Sequence, residues 1–210
     1  MNLYLVRHGQ TASSRENRFT GSSDPPLTPV GEAMAEALAG AYSQVKWNAI
    51  YTSPLLRARQ TAAPLCRAVG VEPTIEEGLK EIAYGEWEGL KLEEAEKRFP
   101  AEFAYWAADV ASRGTPGGET AFAVAARAMR VVEQIRTRHT AGNVLVVAHK
   151  ATLRIVACAL LGLDVRLFRD RLALPVAAVS MFILAPHAVQ LAFHADRSHL
   201  TPELRNAEGT

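Results

Sequence analysis

The chain has 210 residues, which at about 150 residues per domain is room for one domain, or one domain with a large insertion. Apolar residues make up 49% and charged residues 21%, a balance that excludes disorder for the body of the chain. With 23 Lys and Arg against 22 Asp and Glu the formal net charge is +1, so no general basic field gathers nucleic acid or an anionic membrane, and any anion site is local.

The opening MNLYLVRH has no basic stretch ahead of its apolar run and no small-residue cleavage site, so it reads as a first strand rather than a signal peptide. Residues 3–6 are a short continuous apolar run, the pattern of a strand buried on both faces of a parallel sheet. A helix is predicted over 28–43, where Thr28 supplies an N-cap and Pro29 the first helical position. A second strand follows at 49–52 and a second helix at 57–69. Residues 85–113 fit neither pattern: Trp87, Phe99, Phe103 and Trp106 are spread through a charged stretch, as expected of a helical insertion over one end of the sheet. Gly114, Pro116, Gly117 and Gly118 mark a loop, with Glu119 opening a helix to 138. Then come a strand at 144–147, a helix at 152–161, and a strand pair at 179–184 and 188–193 around Pro186-His187. The tail, 195–210, is polar enough to fray or to drape over the surface. Five strands alternating with helices predict an α/β sheet covered on both faces. The apolar segment 172–185 contains Pro175 and falls short of the ~20 residues that a membrane helix needs. Cys66 and Cys158 stand far apart with no metal-ligand spacing, as expected of two reduced core thiols in a cytoplasmic protein.

The informative residues follow the strands directly. Arg7-His8-Gly9 follows the first, Thr52-Ser53-Pro54 and then Arg57 the second, His149-Lys150 the third. Open α/β sheets bind ligands outside the carboxyl ends of their strands, so two histidines and two arginines are expected at one edge. Two arginine forks match phosphate oxygens, a neutral imidazole can attack phosphorus, and a second histidine can donate to the oxygens of the transferring group. A carboxyl group pressed against phosphate is pushed toward its protonated form by like charge and can hand that proton to the leaving alkoxide; Glu81 is the best candidate. Arg59, two positions from Arg57, does not share its helix face and is expected in solvent, as are most of Glu76, Glu77, Glu86 and Glu88. His139, His187, His194 and His199 read as surface or loop residues, though the segment Ser198-His199-Leu200 could close over the site.

In order along positions 1–163, the segments RHGQTASSRENRFTG, PLTPVGEAMA, YTSPLLRARQTA, LKEIAYGEWEG, PGGET and VVAHKATLR resemble the histidine phosphatase superfamily, the phosphoglycerate mutase-like proteins. The resemblance implies a three-layer α/β/α sandwich with a mostly parallel central sheet. It makes His8 the phosphorylated nucleophile, Arg7, Arg57 and His149 the phosphoryl pocket and Glu81 the proton donor, with no metal and no cofactor. The substrate-binding candidates are Ser14, Thr20, Gly21, Tyr84 and Lys150. Ser14 stands where the family often has an asparagine, and Lys150 where a glycine usually follows the second histidine; Met34, where glutamine is common, reads as packing. The implied activity is hydrolysis of a small phosphorylated metabolite, a phosphomonoesterase acting through a phosphohistidine. The chain is short for a cofactor-dependent mutase, and residues 90–113 lack the paired arginines that hold a second phosphate. A mutase and a non-catalytic phosphate-binding module are the alternatives. A metallophosphatase would need several more carboxylates or histidines. The expected partner is the small phosphorylated substrate, not nucleic acid or membrane; the resemblance also allows a homodimer.

Overall fold

A computed structural model describes residues 1–209. Its sheet has six strands: β1 (Asn2–Arg7), β2 (Trp47–Thr52), β3 (Thr74–Ile75), β4 (Asn143–Ala148), β5 (Val179–Ala185) and β6 (Ala188–Asp196), in the order β3-β2-β4-β1-β5-β6. The first four are mutually parallel, β5 pairs antiparallel with β1, and β6 antiparallel with β5. The sheet thus has one strand more than the five expected. That strand is the two-residue β3, exposed at both positions and carrying no apolar alternation to announce it.

Helices α1 (Ala12–Arg15), α2 (Pro29–Tyr42), α3 (Leu56–Val69), α4 (Leu92–Arg98), α5 (Pro100–Ala108), α6 (Ala121–Arg138), α7 (Lys150–Leu161), α8 (Phe168–Arg171) and α9 (Pro202–Asn206) connect and flank the strands. Successive strand side chains point to opposite faces, and this pleat builds two cores. Leu3, Leu5, Val144 and Val146 join Val132, Ile135, Leu153 and Val156 of α6 and α7, while Val6, Ile50, Leu145 and Val147 join Leu38, Ala58, Ala62 and Leu65 of α2 and α3. The result is the three-layer α/β/α sandwich, each fully buried aliphatic side chain contributing about 1.5–3 kcal/mol.

Local signals set the helix ends. Thr28 Oγ1 accepts from Gly31 N at 3.1 Å with Pro29 at the first helical position. Helix α6 starts at Ala121, since Thr120 is its cap, leaving Glu119 outside the helix. Helix α7 starts two residues earlier than expected because His149 takes the cap position in extended backbone. Within 85–113, Trp87 is fully buried, stacked on Phe103 at 5.6 Å and edge-on to Trp106 at 5.2 Å, so α4 and α5 carry a small aromatic core of their own.

The tail is packed. Leu200 is buried with Met34 and Val176, and Gln10 Nε2 donates to Glu208 O, which holds residues 207–208 against the α2 side. Segment 198–200 lies there too, His199 edge-on to Tyr42 at 5.9 Å, rather than over the strand ends. Cys66 and Cys158 are buried free thiols. Among the described residues no helix is long and apolar enough to cross a membrane.

Candidate active site

Strand register assembles the site. Arg7 pairs with Ala148 and Thr52 with Val147, and the ladder continues one step further, His8 N donating to Ala148 O and Ser53 N to Val147 O, each at 3.0 Å. His8, His149 and Ser53 therefore emerge side by side, with the two imidazole centroids 5.3 Å apart. Immediately beyond, a Cβ on Gly9 would stand 2.6 Å from Gly31 O, so only glycine lets the chain pass the start of α2.

His8 Nδ1 lies 2.7 Å from Gly9 O. A carbonyl oxygen can only accept, so Nδ1 carries the proton and Nε2 presents a bare lone pair. Burial, then the charges of Arg57 and Arg7, hold its pKa well below 6.5, which keeps the ring neutral and nucleophilic. Arg7 is braced through Nη1 to Leu174 O at 2.7 Å, while its Nε is buried with no protein partner. The Nε–Nη2 edge of the fork is thus left for a ligand. Burial lowers this guanidinium to about 9, still charged at neutral pH.

Arg57, 1% exposed, donates from Nη1 to Ser23 O at 2.7 Å, from Nη2 to Gly21 O at 3.1 Å and from Nε to His149 Nδ1 at 3.2 Å. Because a guanidinium only donates, His149 Nδ1 is the acceptor, and its Nε2–H goes to Ser53 Oγ at 2.7 Å. Both nitrogens of His149 are occupied within the protein, and burial followed by Arg57 keeps the ring neutral. The expected donation from His149 to a phosphoryl group is absent from this arrangement; instead the ring fixes Arg57.

Glu81 is 8% exposed and sits against the start of α7: Oε1 accepts from Ile82 N at 2.9 Å and Thr152 N at 3.1 Å, Oε2 from Ala151 N at 3.2 Å. Its backbone is clamped from behind. Arg127 donates to the carbonyls of Gly78, Lys80 and Glu81 and pairs with Glu119, which also accepts from Ala83 N at 3.0 Å. Burial alone would raise Glu119, but the hydrogen bonds from Arg127 and Ala83 outweigh it and leave the pKa lowered.

The loop that holds Arg57 is itself held by Glu88, which accepts from Ser22 N at 2.7 Å, Ser23 N at 3.0 Å and Ser23 Oγ at 2.9 Å. Gly21, at φ +52°, would place a Cβ 2.1 Å from Glu88 Oε1; its role is this backbone shape and its carbonyl, not a side-chain contact. Glu88, one of four acids of which most were expected in solvent, is one anchor the sequence did not single out. Ser14 lines the cavity, but its hydroxyl donates to Thr11 O and accepts from Thr11 N, so it caps α1. Thr20 and Tyr84 line the cavity as well, with Tyr84 packed on Phe19 at 4.6 Å and burial pushing its phenol upward, so the ring stays protonated. Arg59 is exposed.

The cavity at these strand ends holds about 200 Å³ and is lined by Arg7, His8, Arg57, Glu81 and Lys150 together with Arg154 and Arg169, which sequence reading missed. Arg18 and Asn17 reach its edge. Lys150 and Arg154 are four apart on α7, so helical spacing alone put them on one face. Among the described residues no cluster of His, Cys, Asp and Glu could hold a metal ion. One bare imidazole nitrogen, an open arginine edge and one carboxylate in a cationic cavity suit phosphoryl transfer.

Comparison with known proteins agrees. A family model for the histidine phosphatase superfamily (branch 1) matches residues 3–197. The chain is 34% identical over 166 residues to phosphoserine phosphatase 1 of Hydrogenobacter thermophilus, covering 79% of each sequence. It is 39% identical over 160 residues to the 2,3-bisphosphoglycerate-dependent phosphoglycerate mutase 2 of Gloeobacter violaceus, covering 73% of each. In structure it superposes on the mycobacterial glucosyl-3-phosphoglycerate phosphatase Rv2419c with a TM-score of 0.84 at 26% identity, over 93% of this chain and 99% of that one. Sequence, fold and site geometry together establish that the chain belongs to the histidine phosphatase superfamily, branch 1.

Proposed function

We propose that the protein hydrolyses small phosphomonoesters in the cytoplasm through a phosphohistidine on His8, without a metal ion. The observation that supports this most is the pairing of a neutral His8, its Nε2 bare, with the unpartnered Nε of Arg7 beside it. The phosphoryl group lies on the open edge of Arg7 and against Arg57. His8 Nε2 attacks phosphorus, the bond to the ester oxygen breaks, and Glu81 delivers a proton to the departing alkoxide. The new N–P bond leaves positive charge on the ring, which the Nδ1–H bond to Gly9 O stabilises. Water then attacks phosphorus, Glu81 takes its proton, and the N–P bond breaks to release inorganic phosphate and neutral His8. Arg57 spreads charge over the transferring oxygens in both steps, held in place by His149 and the loop at 21–23.

One observation favours a second reading. The cationic residues beyond the phosphoryl site would suit a second phosphate, and a mutase is among the relatives. Phosphate release from a panel of phosphorylated metabolites, with excess EDTA and beside an assay for 2,3-bisphosphoglycerate-dependent interconversion of 2- and 3-phosphoglycerate, separates the two. Hydrolysis undiminished by EDTA is expected; rapid isomerisation with little free phosphate would overturn the hydrolase reading.

A further inference from the structure

Beyond the phosphoryl cavity lies a second, larger one of about 710 Å³, walled by Phe103, Trp106, Val110 and Leu174. Lys150, Arg154 and Arg169 line both cavities, so they stand at the passage from one to the other. None of the three has a carboxylate within ion-pair distance among the described residues, whereas Arg18, at the edge of the inner cavity, is paired with Glu16 and Glu94. The two arginines are held in place. Arg169 lies over the Trp106 ring at 4.5 Å, Arg154 Nη2 donates to the Arg169 carbonyl, and Arg154 Nε is buried with no partner. Among the described residues Glu81 is the one acid lining the inner cavity and Asp170 the one lining the outer. A phosphate held by Arg7 and Arg57 leaves these three cations uncompensated.

We infer that Lys150, Arg154 and Arg169 form a subsite for a second anionic group, so that the substrates are phosphomonoesters bearing a carboxylate a few bonds from the ester oxygen, with any further body entering the outer cavity. This deepens the phosphatase reading and rests on it. A carboxylate between two guanidinium groups and an ammonium gains charge-assisted hydrogen bonds in a half-buried site, whereas a hydroxyl there leaves the cations unmatched.

The test compares two substrates that differ only there: 3-phosphoglycerate, and glycerol 3-phosphate, in which a hydroxymethyl group replaces the carboxylate. In the wild-type protein kcat/KM is expected to favour 3-phosphoglycerate by about tenfold or more, and Arg154→Gln and Arg169→Gln to pull that ratio toward one. A wild-type ratio near one, or a preference that survives both substitutions, would overturn the subsite. Binding of 4-phosphonobutanoate, which sets its carboxylate as far from phosphorus as 3-phosphoglycerate does, against butylphosphonate to wild-type protein by calorimetry decides the matter independently of turnover and of how the variants fold. Tighter 4-phosphonobutanoate binding by about tenfold supports the subsite even if no ester is hydrolysed, the result in which the phosphatase reading fails by itself. Equal affinities sink the subsite alone.

Discussion

The floor of the site and its rim are built on different principles. On the floor, His8, Arg57 and His149 hang from or just beyond three adjacent strands, and their polar atoms are almost all matched by protein: Gly9 O, Ser53 Oγ, and the Gly21 and Ser23 carbonyls. The atoms left open, His8 Nε2 and the outer edge of Arg7, are those the chemistry needs. At the rim, Lys150, Arg154 and Arg169 come from α7 and α8, face an aromatic insertion and carry charges with no acidic partner among the described residues. In the proposed reaction the chemistry is thus held at the ends of the sheet strands, while selectivity rests on helix side chains outside it.

Glu81 breaks or sharpens this contrast most strongly. It belongs to the floor by its proposed role as proton donor, yet it is held by α7, the same helix that carries two rim cations. Glu81→Gln should lower kcat/KM, which reports phosphohistidine formation and not its hydrolysis, by roughly 10²–10⁴-fold on alkyl phosphates, and far less on p-nitrophenyl phosphate, whose leaving group needs no proton. Equal losses on both would make Glu81 a structural brace. Next comes Glu88, a positioning residue that touches no substrate. Glu88→Ala frees the Ser22–Ser23 backbone and should cost about tenfold in kcat/KM on every phosphomonoester alike, with Glu88→Gln recovering part of it. A loss confined to carboxylated substrates would move Glu88 to the rim.

The smallest effect is in pH. Burial, then Arg7, Arg154 and Arg169, lower Lys150 to about 8, opposed by Glu81. Its charge is complete below that value and lost above it, so the preference for 3-phosphoglycerate over glycerol 3-phosphate should shrink as pH rises past 8. His8, held well below 6.5, is already neutral at pH 7, so its ring resonances in the ligand-free protein, followed by NMR, should show no inflection near 6.5. Such an inflection would mean an exposed, ordinary imidazole.

The floor was legible in the sequence because its residues follow strands that announce themselves: 3–6, 49–52 and 144–147 are apolar runs, and strand ends are where open sheets place ligands. What register added was contact. No sequence pattern says that both nitrogens of His149 meet Ser53 and Arg57, or that Ser14 turns back to cap α1. Two-residue β3 carries no periodicity to read. The rim was harder, since a lone arginine on an amphipathic helix resembles a solvated charge. Only the spacing of Lys150 and Arg154, opposite the apolar face of α7, held a usable signal. Arg169 and Glu88 gain their meaning from segments distant in the chain, Trp106 and the loop at 22–23, and so could not be found locally.

The most direct measurement is acid-sensitive, base-stable phosphorylation of the protein mixed with a phosphomonoester, quenched within one turnover and mapped by mass spectrometry. One PO3 group on the peptide containing His8, absent in His8→Ala and decaying as free phosphate appears, is the result expected. Turnover with no phosphorylated protein at any time, or a PO3 group on His149 instead, would contradict it.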